Sequence, residues 1–459
     1  MAHMALILMI VTEILSALQE GTIPEIEVQG DTLLISHNGC SLPVSLQSPA
    51  LRIQGQQVPI APAAASEISG NLLKGEELAL HYAPIKVAEG TEITTVLHFV
   101  WSPEEDVLRK WAEISGIGGV APVVLEEIVF DVFSKDNLIE EPRFSVPRSF
   151  PVFFPGFFSG IEFPVASTRI ENGQLLLGHT PLITLQANTT YRSKIAVYGI
   201  AAPGHEREAF HRYIESHRPA PKGLHINYNS WWTSPVPFSE ADILNLMNTF
   251  EEHLYKPYGV ALDSFTIDMG WSNPKSVWEI DSTLFPEGFS RIQEGAKKMG
   301  AQLGLWISPS SFYPPAVDPA WAAEQGYESF EIPWVAGTAK LLSLGGEKYG
   351  RQFRERLVDM ASRFAIRQVK LDGLFQGNDY MAGPYSAEAT VEGAVAAFEA
   401  VRKAVPEVWL ECTFDANASP WWLFYLNSVI GGYGDDSPYG RVPCPVYRES
   451  YTTARDFYN

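Results

Sequence analysis

Cysteine is nearly missing from this chain. Three in 459 residues, Cys40, Cys412 and Cys444, cannot build a disulfide framework, which fits a reducing, cytoplasmic compartment or indifference to redox. Basic side chains are scarce too: 33 lysines and arginines face 54 aspartates and glutamates, a net charge of −21. Such a surface repels phosphate backbones and anionic lipid, so nucleic acid is excluded as a main partner. No apolar run approaches the roughly 20 residues that span a bilayer, and no membrane partner is implied. The nearest run, Met4 to Val11, meets Glu13 and lacks a basic flank, and reads as a buried helix or strand rather than a signal peptide. The leading Met-Ala-His-Met resembles a cloning scar that could hide a native leader, so export stays open.

Familiar cofactor signals are lacking as well. His205-Glu206 begins like a zinc-protease motif, but Ala209 stands where the second histidine is required and His211 is wrongly spaced. No cysteine pair has metal spacing. Gly116, Gly118 and Gly119 lie among strand-like segments and open no helix, so they make no dinucleotide loop. A phosphate-cradling loop and a Gly-x-Ser-x-Gly elbow are both absent. Neither a metal nor an organic cofactor is called for. The triplets Asn188-Thr189-Thr190 and Asn417-Ala418-Ser419 match the glycosylation pattern, which chance often produces.

What the chain does have is an apolar share of 46% and aromatics at 12%, enough for two or three packed domains. Its first 205 residues read as strands between Gly, Pro and Asn breaks: Glu25–Val28, Thr32–Ser36, Ala50–Ile53, Thr91–Val100, Val123–Phe133 and Lys194–Gly199. Alternation is clear in Thr95-Val96-Leu97-His98-Phe99-Val100, and an antiparallel β-sandwich is expected. Residues 206–221 read as a linker helix ending in Pro219-Ala220-Pro221. From 222 to 459 apolar strands alternate with amphipathic helices. The strands are Leu224–Trp231, Ser264–Met269, Gln302–Ser308, Gln368–Leu374, Val408–Thr413 and Ser428–Gly432. The helices include Glu240–Tyr255, with Ser239 and Asp242 placed as a capping box, Gly288–Met299 stopped by Gly300, and Ala387–Val405. This rhythm means parallel strands, in a (β/α)8-type barrel that breaks off after about six or in an open sheet.

Carboxylates and tryptophans gather where these strands finish. The ends read Asn229-Ser230-Trp231-Trp232, Asp268-Met269-Gly270-Trp271, Trp306-Ile307-Ser308, Lys370-Leu371-Asp372, Glu411-Cys412 and Gly434-Asp435-Asp436. A single strand-end aspartate is usually a cap or a turn former. Such ends taken together point to function, because parallel sheets place their chemistry at strand ends. Flat rings beside acids suit a sugar, whose ring face packs on an aromatic while its hydroxyls donate to carboxylates. Lys370 and Asp372 sit two apart on one strand and face the same way, so the lysine is expected to partner that aspartate.

These residues resemble the α-galactosidases of glycoside hydrolase family 36, in the clan shared with family 27. The resemblance runs through Val107-Leu108-Arg109-Lys110-Trp111, Tyr228-Asn229-Ser230-Trp231-Trp232, Asp268 to Gly288, Leu303-Gly304-Leu305-Trp306, Val369-Lys370-Leu371-Asp372, Glu411-Cys412 and Gly434-Asp435-Asp436. It implies an N-terminal β-sandwich, a catalytic barrel and a retaining double displacement on a carbohydrate substrate. Asp372 matches the nucleophile. Asp435 matches the acid/base, with Asp436 as its rival. Asp268, Trp271, Trp306, Lys370, Trp231, Cys412 and Arg441 match sugar-holding positions. The family's paired aspartate after the second strand reads Asp268-Met269 here, which implies a substrate without a C6 hydroxyl, such as β-L-arabinopyranose, or with an altered C6. The family's acidic pair after Trp306 reads Ser308-Pro309-Ser310, and its glycine-rich loop after Cys412 reads Thr413-Phe414-Asp415-Ala416-Asn417. The resemblance normally includes two further strands and a C-terminal β domain, which implies a fragment or an unusual assembly. A transglycosylase and a catalytically silent carbohydrate-binding relative stand as alternatives, and homo-oligomerisation stays open.

Overall fold

The computed structural model describes residues 25–430 apart from 30–31, 38–39, 48, 59–66, 70–71, 73–75, 89, 119–121, 141–148, 234–236, 314–315, 335–336, 376–380 and 415–418. The Met4–Val11 run lies outside the described residues. The chain divides after Ser216 into two compact units, with Ser419–Trp421 counted in the first. Among the described residues no helix is long and apolar enough to cross a membrane.

Antiparallel pairing builds the first unit. Thr91–Ser102 and Val107–Gly118 pair along their whole length, Thr91 opposite Gly118 and Ser102 opposite Val107. Alternation decides which face is covered: Ile93, Leu97 and Phe99 are fully buried, whereas Val96 and Val100 are half-buried. This pair sits inside a nine-stranded sheet, and Val123–Ser134 sits at the centre of a six-stranded one. A buried ion pair joins Val107–Gly118 to Val123–Ser134. Lys110 is wholly buried, and its Nζ donates to Asp131 Oδ2 at 2.9 Å and to the carbonyls of Ser45 at 2.8 Å and Phe130 at 3.2 Å. The Tyr198 hydroxyl donates to the same carboxylate. Burial lowers the lysine's pKa while Asp131 opposes that shift, as a buried pair must.

Helix Glu206–His217 belongs with this unit through Phe210 and Tyr213, which pack on Phe158 at centroid distances of 5.3 and 5.7 Å. Trp421 closes over Phe210 edge-on, at 5.4 Å. It also lies against Gly160, where any Cβ would strike its ring.

In the second unit six strands form one parallel sheet in sequence order: β1 Asn227–Asn229, β2 Ser264–Ile267, β3 Gln302–Ile307, β4 Gln368–Asp372, β5 Trp409–Thr413 and β6 Ser428–Ile430. The sheet curls into half a barrel. Helices α1 Glu240–Phe250, α2 Ser290–Lys298, α3 Glu347–Arg363 and α4 Ala387–Ala404 alternate with the strands. Ser239 and Asp242 form the expected capping box at α1. Gly300 takes φ +72° just after α2, a conformation that costs glycine little.

Three features depart from the sequence expectation. Strand β1 is shorter than Leu224–Trp231, because the Asn229 side chain accepts the Trp231 N–H at 2.9 Å and turns Ser230–Trp232 into a 3-10 turn. The expected helix over Glu240–Tyr255 loses its α register at Glu251, where a π turn begins, and Gly259 at φ +65° ends the run. Helix α3 and the hairpin of Ser329–Trp334 with Gly337–Leu342 were not among the expected elements. Tyr349, Phe353, Leu357 and Met360 carry the buried stripe of α3 at helical spacing, diluted by charged neighbours. Its N-terminus is capped from outside, since Glu328 accepts the Lys348 and Tyr349 N–H groups at 3.0 and 2.9 Å.

Strand β3 depends on one small residue. A Cβ at Gly304 would fall on the Thr266 hydroxyl, which donates to Gln368 Oε1 at 3.2 Å across β3. Gly304→Ala therefore lowers stability by about 1–3 kcal/mol, read as a drop in the denaturant midpoint, through overpacking. Adding Thr266→Ala to that variant recovers part of the loss.

Candidate active site

Pleat alternation puts every second residue of the parallel strands on the inner face. The register then builds rows. Trp306 lies opposite Lys370, Lys370 opposite Glu411 and Glu411 opposite Ser428. Asp268 follows β2 at the same height, since Ile267 pairs with Leu305. One step towards the strand ends, Asp372 lies opposite Thr413. One step below, Thr266, Gly304, Gln368 and Trp409 share a row.

Lys370 does not pair with Asp372 as the sequence suggested. Its Nζ donates to Asp268 Oδ2 at 3.0 Å, and the two side chains are 17% and 3% exposed. The reason is geometric. Residues two apart on a strand stand about 6.6 Å apart, so Lys370 would have to lean along its own strand to reach Asp372. Inside a curled sheet, in contrast, inward side chains of alternate strands fill one layer and meet.

Asp372 is held instead by Trp306, whose Nε1 donates to Oδ2 at 3.1 Å, and by the Gly373 amide. Burial pushes this carboxyl up to about 6, against the pull of Lys370 and the two N–H groups, while Asp268 adds to the rise. It stays ionised above that pH.

Glu411 completes the row and was overlooked in favour of its neighbour. Its Oε2 accepts the Ser428 hydroxyl at 2.9 Å and its Oε1 accepts Gln368 Nε2 at 3.3 Å. Burial raises its pKa, opposed by Ser428, Lys370 and Gln368. The Gln368 amide is oriented in turn by Ser264, whose hydroxyl donates to Oε1 at 2.6 Å. Strand parity was the available signal: Lys370, Asp372 and their register partners Glu411 and Thr413 face one way, so Cys412 faces the other. The structure buries Cys412 completely, and burial drives its thiol pKa well up.

Other expected site residues are placed variously. Trp271 is wholly buried, donates its Nε1 to the Trp306 carbonyl at 2.9 Å and packs edge-on against Phe289 at 5.5 Å. It supports Trp306 from behind, where no ligand reaches. Trp306 is itself fully buried, so it acts on the site through its N–H. Trp231 is half-buried on the turn after β1. Asp435, Asp436 and Arg441 lie outside the described residues.

Serines hold the loop after β3. The Ser308, Ser310 and Ser311 hydroxyls accept the N–H groups of Phe312, Phe375 and Val317 at 3.0, 3.0 and 3.1 Å. Tyr349 of α3 donates to the Pro309 carbonyl at 2.7 Å. Phe330, Ile332 and Leu341 of the hairpin pack with Phe312, Phe375 and Tyr385, so the loops after β3 and β4 share one apolar brace. Among the described residues no group of three His, Cys, Asp or Glu side chains could hold a metal ion.

No family model and no curated protein matches the chain in sequence. Solved structures do match in fold. The family 36 α-galactosidase AgaA of Geobacillus stearothermophilus, bound to 1-deoxygalactonojirimycin, aligns at TM-score 0.56 and 14% identity over 88% of this chain and 67% of its own. The galactosidase domain of the α-galactosidase–sucrose kinase AgaSK gives 0.57 and 14% over 86% and 64%. An α-galactosidase from Lactobacillus brevis gives 0.56 and 11% over 88% and 72%. These likenesses show a shared fold, of which this chain spans roughly two thirds of the neighbours' length.

The raised carboxyl yields a stability test. The native state binds the Asp372 proton more tightly than the unfolded chain, whose ordinary value is 3.8, so stability from this group falls as pH rises from about 4 to 6. Asp372→Asn keeps an acceptor for Trp306 and removes the buried charge. Its melting temperature is expected above that of the unaltered protein at pH 7.5, with the gain fading at pH 4.

Proposed function

We propose that this chain is a retaining glycosidase of the family 36 type that removes terminal galactose-like sugars, with Asp372 as nucleophile. One observation carries the reading: the lysine beside Asp372 is spent on Asp268, leaving Asp372 at a strand end with only N–H donors on it. The fold shared with α-galactosidases adds to it.

In the first step a carboxylate oxygen of Asp372 attacks the anomeric carbon while the glycosidic bond breaks. The leaving oxygen takes a proton from Asp435, or from its neighbour Asp436. In the second step that residue, now a base, deprotonates a water that displaces Asp372 and frees the sugar. This chemistry needs the two carboxyls about 5–5.5 Å apart. Asp268 and Lys370 hold sugar hydroxyls, one as acceptor and the other as donor. Trp306 fixes the carboxylate plane of Asp372 without touching the sugar, and Trp271 and Cys412 take no direct part. Ionised Asp372 is required, so kcat/KM rises through about pH 6 on its acidic limb.

Met269 follows Asp268 and offers no oxygen to a C6 hydroxyl, so a sugar lacking that group is preferred. One unmade buried hydrogen bond costs about 1–3 kcal/mol, a rate difference of roughly 5- to 150-fold.

An activated fluorosugar is expected to attach covalently to Asp372, and Asp372→Asn to lose at least about a thousandfold in kcat. Nitrophenyl β-L-arabinopyranoside is expected to be cleaved faster than nitrophenyl α-galactoside; a strong galactose preference removes the C6 reading alone. Sugar affinity without labelling or turnover would identify a binding protein, and sugar transfer to an added acceptor would identify a transglycosylase.

A further inference from the structure

Lys370 is the one cation of the inner row. Asp268 touches it at 3.0 Å, Asp372 feels it from the same strand, and Glu411 feels it from the strand beside. Three carboxyls therefore share a single ammonium. Among the described residues Glu411 forms no ion pair, and its two oxygens rest on the neutral donors Ser428 and Gln368. Those donors are fixed in their roles. Trp409 Nε1, which can only donate, gives its hydrogen to Ser428 Oγ at 3.0 Å and leaves that hydroxyl to donate to Glu411. Gln368 Oε1 is filled by Ser264 and Thr266, so its Nε2 is turned to Glu411. The arrangement keeps Glu411 beside Lys370 with no cation of its own.

We propose that Glu411 is a positioning residue for the reaction at Asp372: in register with Lys370 on the neighbouring strand, its negative charge offsets the potential of that ammonium at the nucleophile. The inference rests on the nucleophilic role read for Asp372. The charged and titratable groups around Glu411 are Lys370 and Asp372 on β4, Cys412 on its own strand, and Asp268 beyond Lys370. His225 stands further off, with its Nε2 on Ser264 at 2.9 Å. Of these only Lys370 is a permanent cation. Removing the charge of Glu411 leaves the positive potential of Lys370 less offset at Asp372, which then ionises at lower pH.

The test follows the rate of covalent inactivation by an activated 5-fluoro-glycosyl fluoride against pH, in the unaltered full chain and in Glu411→Gln. Glutamine keeps the side-chain shape and can still accept from Gln368. The acidic limb is expected to move down by about half to one pH unit, the size of a few-ångström charge effect in a partly screened site, with label still found on Asp372. Ser428→Ala gives a second arm, since it keeps the charge but removes a donor that favours it. The limb then moves the same way by less, and this arm decides the matter if circular dichroism shows Glu411→Gln unfolded. A limb that stays put in a folded variant overturns the role of Glu411 while leaving Asp372 as nucleophile. Failure of the unaltered protein to be labelled overturns both.

Discussion

A charged group inside this protein is answered either by an opposite charge or by fixed hydrogen-bond donors, and the Lys370–Asp268 pair imposes that constraint at the candidate site. Removing either partner would leave an ion in a site nearly closed to water, at a cost of several kcal/mol. The pair reaches between β2 and β4 in the row of Trp306, so it requires the sheet to curl; one row below, the absence of a side chain at Gly304 lets Thr266 meet Gln368 across the same strand. Curvature and a fixed register are thus conditions for this contact. The same contact bears on Asp372, whose carboxylate meets the Trp306 and Gly373 N–H groups while the lysine is engaged elsewhere.

Packing behind the row serves the same end. Trp271, Trp306 and Trp278 are buried against one another, and their indole N–H groups are the polar tips of an otherwise apolar wall. Trp306 spends its tip on Asp372, and Trp271 spends its own on the backbone of Trp306. Trp306 is fully buried against Trp278 and Tyr313, which limits its rotamers, so the hydrogen bond to the carboxylate is made at little ordering cost. The serines after β3 do comparable work with smaller groups, turning their hydroxyls to backbone N–H groups that would otherwise be unsatisfied. The first unit answers its own buried lysine in the same manner, with Asp131 and two carbonyls around Lys110.

Much of the architecture was legible from residues alone. Apolar β-rich runs between breaks, with alternation over Thr95–Val100, located strands at Thr91–Val100 and Val123–Phe133, and the capping box located the start of α1, because these patterns report interactions between residues close in sequence. Helix α3 escaped notice since its apolar stripe is thinned by Arg, Glu and Asp, and since its cap, Glu328, lies outside the usual N-cap position. The hairpin escaped because Pro333 and Gly337 interrupt it, while its stability comes from Phe312, Phe375 and Tyr385 elsewhere in the chain. At the site, Asp268, Trp306, Lys370 and Asp372 were named from strand ends, whereas Glu411 lost out to Cys412 for want of parity. Asp435, Asp436 and Arg441 rest on sequence alone.

By itself the sequence located many of the strands in each half, helices α1, α2 and α4, and the inward side chains Asp268, Trp306, Lys370 and Asp372. These follow from backbone geometry and local hydrophobic pattern. Only the tertiary structure decided who partners whom: Lys370 with Asp268, Trp306 with Asp372, and Glu411 with Ser428 and Gln368. The physical reason is that electrostatic pairing falls off over a few ångströms, and such distances between separate strands are set by sheet curvature and register. Neither of those can be read from spacing along the chain.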